Sequence, residues 1–180
     1  MSESNNSWQT KSAKEVYDNP WIRVTHNEVI TPTNQNGIYG KVSFKNLAIG
    51  IIPIDDQGFT WLVGQHRYTL DEYSWEIPMG GGVLKEDPLV SAQKELREET
   101  GITAKSWECI MKLHTSNSVT DEVGYVFVAK SLEMGPTDWD DTESLEIRHL
   151  PLQEAYTMVM DQKITDAISI AGLLKCKLLH

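Results

Sequence analysis

The sequence predicts an α/β layered domain with a mixed sheet, preceded by a small antiparallel β lobe, and three observations carry that prediction. The run LAIGIIPI at residues 47–54 is apolar on both faces, as a buried central strand must be. A helix with a legible start at Asp87-Pro88 and stop at Gly101 lies between strand-like stretches. Short alternating segments fill the chain up to residue 45, and strands and helices interleave after it.

Residues 1–9 are polar and rich in Ser and Asn, and they read as a flexible arm anchored only by Trp8. Residues 10–45 form the β lobe from KEVYD, WIRVTHNEVI and IYGKVSF. These are separated by Asp18-Asn19-Pro20 and by a segment ending in Asn36-Gly37, a strong turn signal. Residues 46–180 make up the main domain. In it LAIGIIPI turns through Asp55-Asp56-Gln57-Gly58 into FTWLVGQHRY, and the two are expected to pair as a hairpin. Asp87 caps a helix of about 13 residues, Pro88 takes its first position, and Leu89, Ala92 and Leu96 make its apolar stripe. Strands follow at WECIMKL and VGYVFVAK, then an acidic PTDWDDTE stretch and a short strand LEIRHL. Pro151 opens a helix with Leu152, Ala155, Tyr156 and Val159 on one face. A last helix runs from about Thr165 to Leu178 with Ala167, Ile168, Ile170, Ala171 and Leu174 on its apolar side.

The chain of 180 residues has 26 acidic and 16 basic residues, a formal charge of −10 and a pI of about 4.9. That balance, with no basic run, excludes a general nucleic-acid binder, whose affinity comes from clustered Lys and Arg. A chain of this length buries roughly 70% of its unfolded surface, so its core needs neither disulfide nor structural metal. Cys109 and Cys176 stand far apart with no zinc-type neighbours, and the five histidines show no ligand spacing. The N-terminus lacks a signal-peptide pattern and no apolar run could span a bilayer, so a cytoplasmic protein with no membrane partner is expected.

The chemistry is concentrated in GGGVLKEDPLVSAQKELREETGI, residues 80–102. Glu95, Glu98 and Glu99 occupy i, i+3 and i+4 of the predicted helix, so three carboxylates share one edge. Like charges that close repel unless a cation sits among them. A few hard oxygens from one helix suit Mg²⁺, or Mn²⁺, completed by waters and substrate phosphates. The plainer alternative is a solvated helical face with Lys94 and Glu98 as a surface pair. The glycine turn at Gly80, Glu86 in the loop and Gly101 at the helix end favour the first reading.

Gly80, Glu86 after five residues, and Lys94-Glu95-Leu96-Arg97-Glu98-Glu99-Thr100-Gly101-Ile102 after seven more resemble the Nudix box, G-x5-E-x7-REUxEE-x-G-U. One fixed position departs: the family's Arg is Lys94, which keeps the charge and loses the planar fork. The resemblance extends from about Val16 to Leu174, through VYDNPWIRV, GQHRYTLDEYSWEIPMGGG, SNSVTDE and LEIRHLPL, and is to the ADP-ribose pyrophosphatase and nucleoside diphosphate sugar hydrolase branch. It implies an α/β/α sandwich around the mixed sheet. It also implies Mg²⁺ ligation by Glu95, Glu98, Glu99 and the Met79 carbonyl, with Lys94 orienting the glutamates. Arg67 corresponds to an arginine that grips the diphosphate. Trp21 and Tyr39 correspond to aromatics that stack on the base, commonly across a homodimer formed by the N-terminal lobe, with half-buried strand packing as the alternative. Tyr73 and Trp75 are expected to pack. Glu143 falls where the branch carries its general base, with Glu146 as second choice, and Glu122 and Glu76 match acidic positions that hold metal or ribose. Asn117 stands where ADP-ribose-selective relatives carry proline.

The function these residues imply is Mg²⁺-dependent hydrolysis of the diphosphate of ADP-ribose or a related nucleoside diphosphate sugar to a nucleoside monophosphate and a sugar phosphate. The alternatives are a Nudix hydrolase of dinucleoside polyphosphates or nucleoside triphosphates, and a non-catalytic nucleotide-sugar sensor, towards which Lys94 leans.

Overall fold

The computed structural model of the chain describes residues 7–136 and 145–179. Its elements divide into two compact units, residues 1–46 with 116–122, and residues 47–115 with 123–180.

The first unit holds β1 (Gln9–Asp18), β2 (Ile22–Ile30) and β3 (Asn36–Phe44) in an antiparallel sheet of that order. The β2–β3 turn corrects one expectation, because Asn36 and Gly37 lie in β3, where they pair with Ile30 and Val29. The reversal is made one step earlier. Asn34 takes a left-handed φ of 61°, the Asn34 N–H donates to the Thr31 carbonyl at 2.8 Å, and Gln35 donates to the Thr31 Oγ1 at 3.1 Å. Asn tolerates that conformation because its short polar side chain bonds locally. The connection over residues 116–122 belongs to this unit: the Val42 N–H donates to the Val119 carbonyl, Phe44 N–H to Asp121, and Lys41 pairs with Asp121 at 2.8 Å.

The second unit is built on β4 (Asn46–Pro53), whose two faces enter two different cores. Leu47, Ile49 and Ile51 pack with Ala92 and Leu96 of α1 (Pro88–Thr100). Ile52 and Ile54 pack with Ala155, Tyr156 and Val159 of α2 (Leu152–Met160) and with Ile168 and Leu173 of α3 (Ala167–Leu179). The sheets therefore lie between one helix on one side and two on the other, the expected three-layer sandwich. One sheet runs β7 (Met79–Val83), β4, β9 (Val123–Met134), β8 (Ile102–His114), with β4 parallel and β8 antiparallel to β9. The other runs β10 (Glu146–Pro151), β5 (Phe59–Arg67), β6 (Glu72–Glu76), antiparallel throughout.

The expected β4–β5 hairpin does not form. Ile54, just beyond β4, forms an isolated bridge with Thr60, and the two strands enter different sheets. A strand apolar on both faces is buried fully only in a sheet covered on both sides, and the parallel pairing with β9 provides that. The apolar face of α3 also differs from expectation: Ile168, Ser169, Gly172, Leu173 and Cys176 are buried, whereas Ala167 and Leu174 are exposed. Gly172 lets the helix lie close to the sheet, since a Cβ there would stand 2.9 Å from Val126 Cγ1. Among the described residues no helix is long and apolar enough to cross a membrane.

Helix α1 begins and ends as its capping residues dictate. Asp87 accepts the Leu89 N–H at 3.0 Å, and Gly101 turns left-handed at φ 71° while its N–H donates to the Arg97 carbonyl at 2.8 Å. A Cβ on Gly101 would collide with the Gly135 carbonyl oxygen. Gly101→Ala combines that collision with a strained φ and is expected to cost about 2 kcal/mol or more. Urea unfolding measures it, and an unchanged midpoint would contradict this account of the helix stop.

Candidate active site

The carboxylates of α1 are disposed differently from one another. Glu99 is 4% exposed, and its Oε2 accepts the Met79 N–H at 2.9 Å, tying the helix end to the start of β7. Glu95 lies one turn earlier against the same strand, where a Cβ built on Gly80 would fall on its carboxylate. Any larger residue at position 80 displaces that group, which is the physical reason for a glycine in the turn before the helix. Glu98 faces outward to Lys94, 3.3 Å away, and to Arg97 at 3.9 Å. Its hydrogen bond to the Lys94 ammonium holds the Lys94 pKa above the ordinary lysine range. Lys94 and Arg97 line a groove of about 310 Å³ between α1 and β8 with Trp107.

Behind the glutamates, Arg67 at the end of β5 is forked onto Glu76 at the end of β6. Its Nε donates to Oε1 at 2.9 Å and its Nη2 to Oε2. Glu76 is buried, so its charge is satisfied by the guanidinium fork instead of water. The bond to Glu76, then the nearby charges of Glu76, Asp166 and Glu99, keep the Arg67 pKa above its usual value against the opposing pull of burial. One guanidinium thus feels the charge of three carboxylates, one on β6, one on α1 and one on the residue before α3. Asp166 falls inside the last helix as the sequence predicts it, from about Thr165, whereas the helix begins at Ala167. It caps α3, its Oδ2 accepting the Ser169 N–H at 2.7 Å, and its field at Arg67 has no local sequence signal.

The structure therefore brings Glu95, Glu99, Met79, Gly80, Arg67 and Glu76 to one edge of the second unit, with Glu98 and Lys94 on the outer side of the same helix. Glu146 is elsewhere in that unit. It is paired with Gly64 on the sheet face that carries Leu62 and Trp75 towards α2 and α3, opposite the α1 face, and Tyr73 donates to its Oε2 at 2.9 Å. Trp75 packs as expected, under the Arg148 guanidinium at 5.2 Å. Glu143 lies outside the described residues.

In the first unit, Trp21 precedes β2 and is 67% exposed, so core packing is not its role there. Its N–H is fixed by the Asn19 side chain at 2.9 Å. The Tyr39 hydroxyl donates to the Ser118 carbonyl at 2.6 Å, and the Trp8 ring meets Tyr39 edge to face at 5.5 Å. Glu122 and Asn117 lie in the 116–122 connection of this unit.

Among the described residues no three Asp, Glu, His or Cys side chains are gathered closely enough to enclose a metal ion. The donor set nevertheless fits one. Hard oxygens from adjacent turns of one helix face a strand whose glycine leaves the space that a Cβ would fill.

Comparison with known proteins identifies the family and the fold. The NUDIX domain family matches residues 44–169, and the nucleoside diphosphate sugar hydrolase N-terminal domain matches residues 8–42. An ADP-ribose pyrophosphatase from Mycobacterium tuberculosis is 35% identical over 130 residues, 71% of this chain and 63% of the relative. One from Bacillus subtilis is 33% identical over 122 residues, 67% and 66% of the two chains. The aligned stretch thus spans just under two thirds of the length of each of these two relatives. A methanol dehydrogenase activator from Bacillus methanolicus is 27% identical over 167 residues, 92% of this chain and 90% of that one. The crystal structure of an ADP compounds hydrolase superposes with a TM-score of 0.87 at 20% identity, covering 99% of this chain and 96% of that one, which shows the shared fold.

Gly80→Ala is expected to push the Glu95 carboxylate off β7 and weaken Mn²⁺ binding by about 10-fold or more, the scale of a disturbed ligand shell. Electron paramagnetic resonance of free Mn²⁺ reads this directly. Wild-type affinity in the variant would show that Glu95 does not need the space at Gly80.

Proposed function

We propose, from the premise that the chain belongs to the Nudix family, that it hydrolyses the diphosphate of ADP-ribose or a related nucleoside diphosphate sugar, giving a nucleoside monophosphate and a sugar phosphate. The observation that carries this reading is the α1–β7 arrangement, with Glu99 bonded to the Met79 N–H and Glu95 seated on Gly80. The N-terminal match to the sugar diphosphate hydrolases supports this substrate class over dinucleoside polyphosphates and nucleoside triphosphates.

Glu95, Glu98, Glu99 and the Met79 carbonyl would hold Mg²⁺, with Mn²⁺ as a substitute. When bound, the ion neutralises charge that develops on the nonbridging oxygens as water attacks phosphorus. The chain's own residues supply the rest. Lys94 holds Glu98 as a point charge where the family's arginine would offer a fork. Arg67 presents a cation beside the glutamates, its plane set by Glu76, and grips the diphosphate. Glu143 serves as the base that takes the proton of the attacking water. The bond from Tyr73 on the α2–α3 face argues against Glu146 for that task. Trp21 and Tyr39 stack on the base, and Glu122 meets ribose or metal. A homodimer through the N-terminal sheet accounts for the exposure of Trp21, Ile38 and Tyr17. Two free thiols suit a reducing cytoplasm.

The test is product formation with Mg²⁺ on ADP-ribose, ADP-glucose, GDP-mannose, UDP-glucose, diadenosine polyphosphates and nucleoside triphosphates, with Glu98→Gln in parallel. Turnover of a sugar diphosphate, lost on chelation and reduced by at least ~100-fold in Glu98→Gln, is the expected result. Ligand-dependent thermal stabilisation without turnover of any substrate would instead make the protein a sensor.

A further inference from the structure

We propose that Ser169 of α3 is a positioning residue for the divalent-metal site, acting through the backbone of the link between β6 and β7. The inference rests on the hydrolase reading above and deepens it.

The link, residues 76–79, carries at one end the Glu76 carboxylate that sets the Arg67 fork, and at the other the Met79 peptide that faces Glu99. Two of its four residues, Ile77 and Pro78, belong to neither strand, so the Ile77 N–H has no ladder partner. Three bonds fix it. Pro78 O accepts the Ile51 N–H of β4 at 2.8 Å, Glu99 Oε2 accepts the Met79 N–H at 2.9 Å, and Ser169 Oγ accepts the Ile77 N–H at 3.1 Å.

Ser169 is fully buried on a helix face otherwise made of Ile168, Gly172, Leu173 and Cys176. A hydroxyl on such a face is costly to desolvate unless it is bonded, and its bond runs to a residue 92 positions away in sequence. An alanine would pack in the same space and lack only the acceptor. The helix end is itself held in place by Asp166, which receives the Ser169 N–H and adds its charge to the group around Arg67.

Without the hydroxyl, the Ile77 N–H is left buried and unpaired, and the peptide reorients to find an acceptor. Met79 N–H and the Glu76 carboxylate lie two residues and one residue along the chain, so both ends of the site shift together. Outer-shell partners of this kind govern metal affinity through the ligands that they orient.

The experiment uses the full chain and compares wild type, Ser169→Ala and Val126→Ala. The last is a cavity variant in the same core, chosen to lower the melting temperature while leaving all three bonds that fix the link in place, since the Val126 side chain makes none of them. Mn²⁺ affinity without substrate is measured by electron paramagnetic resonance, and kcat and KM are measured for the best sugar diphosphate. The expected result is a loss of about 10-fold or more in Mn²⁺ affinity and in kcat for Ser169→Ala, with KM little changed. Val126→Ala should keep both despite a comparable fall in melting temperature. Equal losses in the two variants, or wild-type Mn²⁺ affinity in Ser169→Ala, would overturn the proposal and leave Ser169 a packing residue. Ser169-dependent Mn²⁺ binding in a wild-type protein that turns over no diphosphate supports the proposal and overturns the hydrolase reading alone.

Discussion

Three carboxylates on one edge of one helix repel one another, and the local structure follows from how that repulsion is managed. Two unit charges about 6 Å apart repel by roughly 3 kcal/mol at an effective dielectric of ~20, which a helix of three and a half turns cannot absorb through propensity alone. Each glutamate has a different answer. Glu98 is drawn outward by Lys94 and Arg97, Glu99 is turned inward onto a peptide N–H, and Glu95 occupies the space that Gly80 leaves open. Glu99 then brings its own charge towards Arg67, whose fork is already engaged by Glu76. Excess negative charge at one place on a folded surface is the electrostatic preparation for a cation, and the formal charge of −10 lies in the same direction.

The two-sided burial of β4 makes this arrangement possible. Because its alternate residues feed separate cores, α1 is committed to one face of the sheets and α3 to the other. The short link after β6 is then reached from both layers: Glu99 of α1 holds Met79, and Ser169 of α3 holds Ile77. A segment of four residues, two of which belong to no strand, is thereby fixed from opposite sides, the kind of support that keeps site groups from drifting by an ångström.

Local chemistry was legible in the sequence and pairing was not. The limits of α1 follow from Asp87, Pro88 and Gly101, because capping is settled within a few residues. The layered α/β class follows from the interleaving of strands and helices, and the three-layer sandwich from the family resemblance. The partner of the LAIGIIPI strand follows from neither, since an apolar run says that both faces are covered but not by what, and the adjacent β5 lost to the distant β9. The Asn36-Gly37 signal failed for a similar reason: a second left-handed candidate, Asn34, stood two residues away, and the register of β2 with β3 decided between them. The box glutamates could be placed on one edge by periodicity, yet their separate partners could not, and nothing near Ser169 or Asp166 hints at Ile77 or Arg67. Position 143 remains a reading of the sequence.

The parallel pairing of β4 with β9 also bears on how the chain is made. Ala48 meets Gly124 and Pro53 meets Ala129, so the most apolar strand leaves the ribosome before any of the chain that builds β5 to β8 and well before its own neighbour. Such a ladder closes late, because its loop entropy must be offset before its contacts form. In the interval an uncharged, strand-forming segment is exposed, which is the composition that self-associates. Yield at high expression temperature, and its response to chaperones that shield nascent apolar segments, should therefore be governed by this strand more than by the acidic, well-solvated remainder of the surface.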